Sequence, residues 1–175
     1  MNKFSFLVIF LFITSVAFAQ WTWQNPLPTG NSLALVYFTD ANTGYTVGDC
    51  GTIKKTIDGG ISWTTLSSGI YIDLNAVYFT DAKIGYAVGD IGTILKTIDG
   101  GINWTALASG TTKDLFSIYF TDANTAYTVG SGGTIVKTTN GGSSWIVLSS
   151  GTTNTLVSAY FTDVNTGYVA GNFGA

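Results

Sequence analysis

Apolar positions along this chain come in short runs separated by polar, glycine-bearing turns, and outside the first residues none of them follows helical spacing with caps. Leu33-Ala34-Leu35-Val36-Tyr37-Phe38-Thr39-Asp40 is the first run, and residues 74–81, 115–122 and 156–163 repeat it. β-Branched and aromatic residues dominate, as strands prefer. The runs are nearly continuous rather than alternating, which predicts strands buried on both sheet faces. A turn follows, headed by Asp40, Asp81 or Asp122 and closed by Gly44, Gly85 or, out of pattern, Ala126. Second strands are predicted from Tyr45, Tyr86, Tyr127 and Tyr168. A glycine turn then leads to third strands at Thr52, Thr93 and Thr134, and fourth strands are expected to begin at Trp63, Trp104 and Trp145.

Those three tryptophans stand 41 residues apart each time, a fixed period that marks a repeat architecture. Each closes a turn of one type: Thr56, Asp58, Gly60 and Trp63; Thr97, Asp99, Gly101 and Trp104; then Thr138, Asn140, Gly142 and Trp145. An Asp or Asn side chain accepts hydrogen bonds from the backbone N–H groups just after it and so shapes a turn. The paired glycines supply positive φ without steric cost. The tryptophan lays a large apolar ring on neighbouring structure, and its indole N–H needs a partner. A catalytic or metal-binding role for Asp58 and Asp99 is the alternative. Their recurrence once per repeat, and the substitution by Asn140, favour turn formation.

Four short strands per period, joined by tight turns, predict an all-β fold: a β-propeller-like repeat of four-stranded blades. The period runs over residues 33–175. It gives three full blades and half of a fourth, because residues 171–175 match 130–134, just before a third strand is due. The pattern therefore predicts an incomplete propeller of about three and a half blades, a fragment or truncated product, with an open last hairpin of the kind that invites association. Residues 20–32 form an N-terminal strand or leader. They hold both prolines and, through Trp21 and Trp23, partly copy the end of a repeat.

Residues 1–19 read as a signal peptide. Lys3 gives the positive start, an apolar stretch follows, and Ala17-Phe18-Ala19 offers a cleavage site before Gln20. The apolar stretch is short for a membrane span; a transmembrane anchor is the alternative. No membrane span is expected after cleavage, and the expected location is exported: periplasm, cell surface or secreted. With 14% aromatic and only 10% charged residues, the composition fits an exported β protein. Its charges are ten Asp and seven Lys, without Arg, Glu or His, so no basic stripe for nucleic acid exists. Cys50, the single cysteine, cannot pair within the chain, which leaves a free thiol or an intermolecular partner; with Ile91 and Gly132 as counterparts it reads as a tolerated loop or packing residue.

The pattern Thr-x-Asp-x-Gly-x-x-Trp, at 56–63 and 97–104, resembles the Asp-box, or bacterial neuraminidase repeat. The wider unit, Gly85-Tyr86-Ala87-Val88-Gly89-Asp90 with Gly92-Thr93-Ile94-Leu95-Lys96-Thr97 and Asp99-Gly100-Gly101, resembles the photosystem II stability/assembly factor-like repeat family. Exported chains of this type also resemble surface and secreted proteins of Bacteroidetes-like bacteria. The family resemblance implies a β-propeller that serves as an assembly or interaction scaffold, with an arginine-rich patch for the partner in photosynthetic members. This chain has no arginine.

Sialidases share the Asp-box, and that resemblance would require an arginine cluster on the substrate carboxylate, a Tyr nucleophile and an acidic partner. The arginines are missing. Tyr37, Tyr78, Tyr119 and Tyr160 recur and read as packing residues. Other glycosidases need two carboxylates flanking the bond. Asp40, Asp81, Asp122 and Asp163 share one repeat position, however, as do Asp49 and Asp90, and Asp73 and Asp114. Without histidine there is no Ser-His-Asp or Cys-His machinery, and with no His or Cys cluster there is no zinc site. Calcium held by loop Asp residues stays open. The expectation is a non-catalytic, exported repeat protein with no cofactor that binds a protein partner or joins a cell-surface assembly. A fragment of a secreted sialidase-like or other glycoside hydrolase, or a glycan-binding propeller, is the alternative.

Overall fold

Short β-branched runs bounded by turn residues cannot bury an apolar face alone, so each must pair with its neighbours and then stack. In the computed structural model, which describes residues 30–175, they do so four times. The first blade comprises β1 (Leu33–Phe38), β2 (Gly44–Gly48), β3 (Thr52–Thr56) and β4 (Thr64–Leu66). The second comprises β5 (Leu74–Phe79), β6 (Gly85–Gly89), β7 (Ile94–Thr97) and β8 (Thr105–Leu107). The third comprises β9 (Leu115–Phe120), β10 (Ala126–Gly130), β11 (Ile135–Thr138) and β12 (Ile146–Leu148). A two-stranded sheet of β13 (Leu156–Phe161) and β14 (Gly167–Gly171) follows. Every pairing is antiparallel between strands adjacent in sequence. Among the described residues the fold is therefore all-β, three four-stranded sheets and one two-stranded sheet. Residues 1–19, expected to be a signal peptide, and 20–29 of the expected leader lie outside the described residues.

The core lies between blades. Tyr45, Val47 and Ile53 of the first blade bury themselves against Leu74, Val77, Phe79, Ala87 and Leu95 of the second. Tyr86, Val88 and Ile94 of the second do the same against Leu115, Ile118, Phe120 and Val136 of the third. Each large apolar side chain so buried contributes about 1.5–3 kcal/mol. Phe79 shows the density of this packing: its ring stacks on Tyr45 at 3.9 Å and meets Trp104 edge-on at 6.1 Å.

Two local expectations need correction, and one turn position has an unexpected cause. Burial of the first strand on both faces describes β5 and much of β9, whereas β1 leaves Leu33, Leu35, Val36 and Phe38 exposed. The fourth strands begin one residue after the tryptophans, which belong to the turns. The glycines that close the first turn are not there for backbone freedom, since Gly44, Gly85 and Gly167 are absent from the positive-φ residues. They leave room for a ring: a Cβ on Gly85 would stand 2.5 Å from Phe79, and one on Gly44 would stand 2.8 Å from Phe38.

Candidate functional site

The Asp-box turns are built alike. Thr56 Oγ1 donates to Asp58 Oδ1 at 2.7 Å and accepts the Gly60 N–H at 2.8 Å. Asp58 Oδ1 also accepts the Ser62 N–H at 2.9 Å, while Oδ2 accepts the Ser62 hydroxyl at 2.6 Å. Thr97, Asp99, Gly101 and Asn103 repeat the arrangement, with the Asn103 amide in the hydroxyl's place. Thr138, Asn140, Gly142 and Ser144 repeat it without the charge. Gly100 and Gly101, at φ 71° and 87°, make the left-handed corner that allows the chain to fold back.

These bonds set the chemistry of the carboxyls. The Ser62 hydroxyl and N–H, then Thr56, hold Asp58 down to about 2. The Asn103 N–H and side-chain amide, then Thr97, hold Asp99 down to about 2. A carboxylate this acidic, with both oxygens already accepting, is a poor proton acceptor at neutral pH. The third copy, Asn140, keeps the turn with no acid at all. Trp104 Nε1 donates to Gly101 O at 3.0 Å, as an indole in this turn should. Trp145 Nε1 is buried without a partner, so that expectation does not hold for the third turn.

The same turns join neighbouring blades. The Gly100 carbonyl accepts the Tyr45 hydroxyl at 2.9 Å and the Lys55 ammonium at 3.1 Å, both from the preceding blade. Gly141 accepts Tyr86 at 2.8 Å and Lys96 at 2.7 Å in the same way. Each lysine lies over the ring of its tyrosine, 5.2 Å for Lys55 on Tyr45 and 5.3 Å for Lys96 on Tyr86. Lys137 lies over Tyr127 at 5.0 Å.

Most of the remaining carboxylates are occupied similarly; Asp49 alone has no bond to its carboxylate among the described residues. Asp40, Asp81, Asp122 and Asp163 each accept N–H groups two and three residues on, which pulls their pKa values below the ordinary carboxylate value. Asp73 Oδ1 accepts the Cys50 N–H at 2.7 Å, and Asp114 Oδ1 accepts the Ile91 N–H at 3.0 Å. Cys50 and Ile91 stand at φ 54° and 55°, so a carboxylate from the following blade braces a left-handed, non-glycine corner. Cys50 is exposed and free. Asn75 Nδ2 donates to Asp90 Oδ1 at 2.8 Å.

The recurring tyrosines sit side by side along the first strands: Tyr37 to Tyr78 at 5.1 Å, Tyr78 to Tyr119 at 6.2 Å and Tyr119 to Tyr160 at 5.4 Å. Tyr37 and Tyr119 donate to the carbonyls of Phe79 and Phe161, each at 3.0 Å. Burial raises the pKa of Tyr37 and Tyr78, the direction opposite to activation of a phenolate nucleophile.

Three shallow grooves of about 370, 670 and 570 Å³ repeat in successive blades where the β2–β3, β6–β7 and β10–β11 corners meet the chain leaving each blade. No Asp lines any of them. Among the described residues, no group of three or more Cys or Asp side chains gathers to hold a metal ion, and no helix is long and apolar enough to cross a membrane.

One surface feature escaped the sequence reading. Ile57 and Ile61 of the first Asp-box are 73% and 82% exposed, and Ile98 and Ile102 of the second are 70% and 68% exposed. The signal was present in the alignment of the repeats, since the third copy has Thr139 and Ser143 at these positions.

Comparison with known proteins agrees with this architecture. A structure of YCF48 bound to a D1 peptide is 25% identical, with a TM-score of 0.66 over 74% of this chain and 43% of that one. YCF48 from Cyanidioschyzon merolae is 26% identical, with a TM-score of 0.67 over 79% of this chain and 50% of that one. The chain thus spans half or less of the length of these two structures. A GH74 enzyme from Niastella koreensis shares the fold at 17% identity, with a TM-score of 0.65 over 81% of this chain and 26% of that one. No curated protein matches the chain. The family model described as photosynthesis system II assembly factor YCF48 matches residues 13–109 and 69–149, and the chain belongs to that family of neuraminidase-type repeat propellers.

Proposed function

We propose that this chain is a non-catalytic, exported propeller protein that acts by binding a protein partner. The observation that carries the reading is the employment of its recurring carboxylates. Asp40, Asp58, Asp81, Asp99, Asp122 and Asp163 all hold backbone N–H groups of their own turns, which leaves them shaping loops rather than poised for proton transfer. The absence of Arg, His and Glu from the sequence removes the usual means of gripping a substrate acid or moving a proton. A YCF48 structure holds a D1 peptide, and a peptide segment of a partner is the class of ligand we assign here. Residues 1–19 supply the export signal in this reading.

A glycan-directed role is the second reading, favoured by the fold shared with GH74 enzymes, one of them over 86% of this chain. The two are separated by incubating the purified full chain with sialosides and β-glucans. The expected result is no turnover, together with recovery of the protein in the exported fraction of its host and cross-links to a protein partner there. Release of sugar would overturn the binding reading.

A further inference from the structure

The two Asp-boxes that carry isoleucine lie on one rim of the arc. Lys55 precedes Thr56 of the first turn, and its ammonium reaches Gly100 of the second at 3.1 Å, so one side chain spans the distance between them. Four β-branched apolar side chains therefore face solvent on two linked turns. The turn does not need them. In the third copy, Thr139 and Ser143 replace the isoleucines and Asn140 replaces the carboxylate. The bonds that define the turn stay at 2.9 Å from Thr138 to Asn140 and 3.0 Å from Gly142 to Thr138. Apolar pair and charge are lost together in the one repeat, and the backbone is indifferent to both.

We propose that the Asp-box rim of the first two blades docks a basic, amphipathic segment of a partner protein, placing its apolar stripe on Ile57, Ile61, Ile98 and Ile102. The inference rests on the binding reading above and adds the surface and the chemistry of the ligand. Charge identifies the occupant. Asp58 and Asp99 flank the isoleucines, and the turns of Asp40 and Asp81 are tied to the same boxes through the bonds from Gly59 N to Asn42 O and from Gly100 N to Lys83 O, each 2.9 Å. All four carboxyls are held below their ordinary pKa by hydrogen bonds, so they are ionised at neutral pH. Three lysines stand next to these turns, Lys83 exposed and Lys55 and Lys96 partly buried with their ammoniums on neutral glycine carbonyls, and the four carboxylates outnumber them by one. A second copy of the chain would set these carboxylates against their own kind, and an anionic membrane would be repelled.

The test uses the full chain and two synthetic amphipathic peptides of equal length, one of leucine and lysine and one of leucine and glutamate, with binding read by fluorescence anisotropy. The lysine peptide is expected to bind about tenfold tighter or better, and to weaken as salt rises. The variant Ile57→Thr/Ile61→Ser/Ile98→Thr/Ile102→Ser, which copies the third repeat, is expected to keep its near-UV circular dichroism and lose about tenfold in affinity. A photo-crosslinkable lysine peptide is expected to mark residues 57–61 and 98–102 of the unaltered chain, a readout that stands even where the variant does not fold. Equal binding of both peptides, or of neither, overturns the proposal. So does a dimer in sedimentation that the variant dissolves, or flotation with anionic vesicles. Tight binding cross-linked to another face overturns this surface and leaves the binding reading standing. Release of sugar from a glycan removes both.

Discussion

Ala126 sets its methyl group where the other repeats have glycine, and the ring of its cross-strand partner Phe120 is the most tilted of the three equivalents. The ring of Phe120 lies at 37° to Tyr86, whereas Phe79 lies at 19° to Tyr45 and Phe161 at 24° to Tyr127. The third blade thus shows the route by which a crowded ring gives way. Gly85→Ala, whose Cβ would stand 2.5 Å from Phe79, is expected to cost about 1–3 kcal/mol. Ala126→Gly is expected to cost less than about 1 kcal/mol. Urea unfolding followed by tryptophan fluorescence measures both, and equal costs would show that the ring yields freely.

The joint between blades makes a second prediction. Tyr45→Phe and Tyr86→Phe each remove a buried hydroxyl from a glycine carbonyl that keeps its lysine. Each should cost about 0.5–1.5 kcal/mol. Tyr127 has no such carbonyl among the described residues, so Tyr127→Phe should cost measurably less. A loss at Tyr127 as large as that at Tyr45 would mean the hydroxyl bond is not what is being measured.

Acid should act through the Asp-boxes. Asp58 and Asp99 are lowered in the folded chain from 3.8 to about 2 by hydrogen bonds to the charged form. A group whose folded pKa is depressed stabilises above its unfolded pKa, and that contribution is lost as pH falls through the folded value. Stability should therefore decline between roughly pH 4 and 2. Asp58→Asn/Asp99→Asn, which copies Asn140, should flatten the decline in this window. An unchanged pH profile by thermal denaturation would place the acid sensitivity in other groups.

The left-handed corners predict a gain. Ile91 stands at φ 55° and is mostly exposed, so neither its backbone nor its burial favours isoleucine; Gly132 occupies the same place in the third blade. Relief of a left-handed β-branched residue, offset by the entropy of glycine, should make Ile91→Gly stabilising by about 0.5–1 kcal/mol. A lower Tm would show that Ile91 packs against something in solution.

The 41-residue period made the blades legible, because strands, turns and tryptophans all shared it. It also exposed Asp58 and Asp99 as turn residues, since Asn140 breaks the acid and keeps the spacing. What stayed hidden were relations between repeats. Nothing in the local sequence of Lys55 points to a carbonyl 45 residues on, or pairs Asp73 with the N–H of Cys50 23 residues back. The reason for Gly85 stayed hidden in the same way, because only the packed ring of Phe79 reveals a steric cause. The exposed isoleucines were hidden by the rule that apolar runs mark strands, which says nothing of a lone isoleucine in a polar turn.

The reach of Tyr45 to Gly100 has a direction, 55 residues toward the C-terminus, and Tyr86 to Gly141 repeats it. The carboxylates of Asp73 and Asp114 likewise brace the unit made before them. A nascent chain emerging from its N-terminus can therefore pair the strands of a blade from that blade's own residues, but it gains these braces only from the next repeat. Each unit waits, partly unfastened, for its successor to arrive. Along this molecule, locking trails synthesis by one repeat.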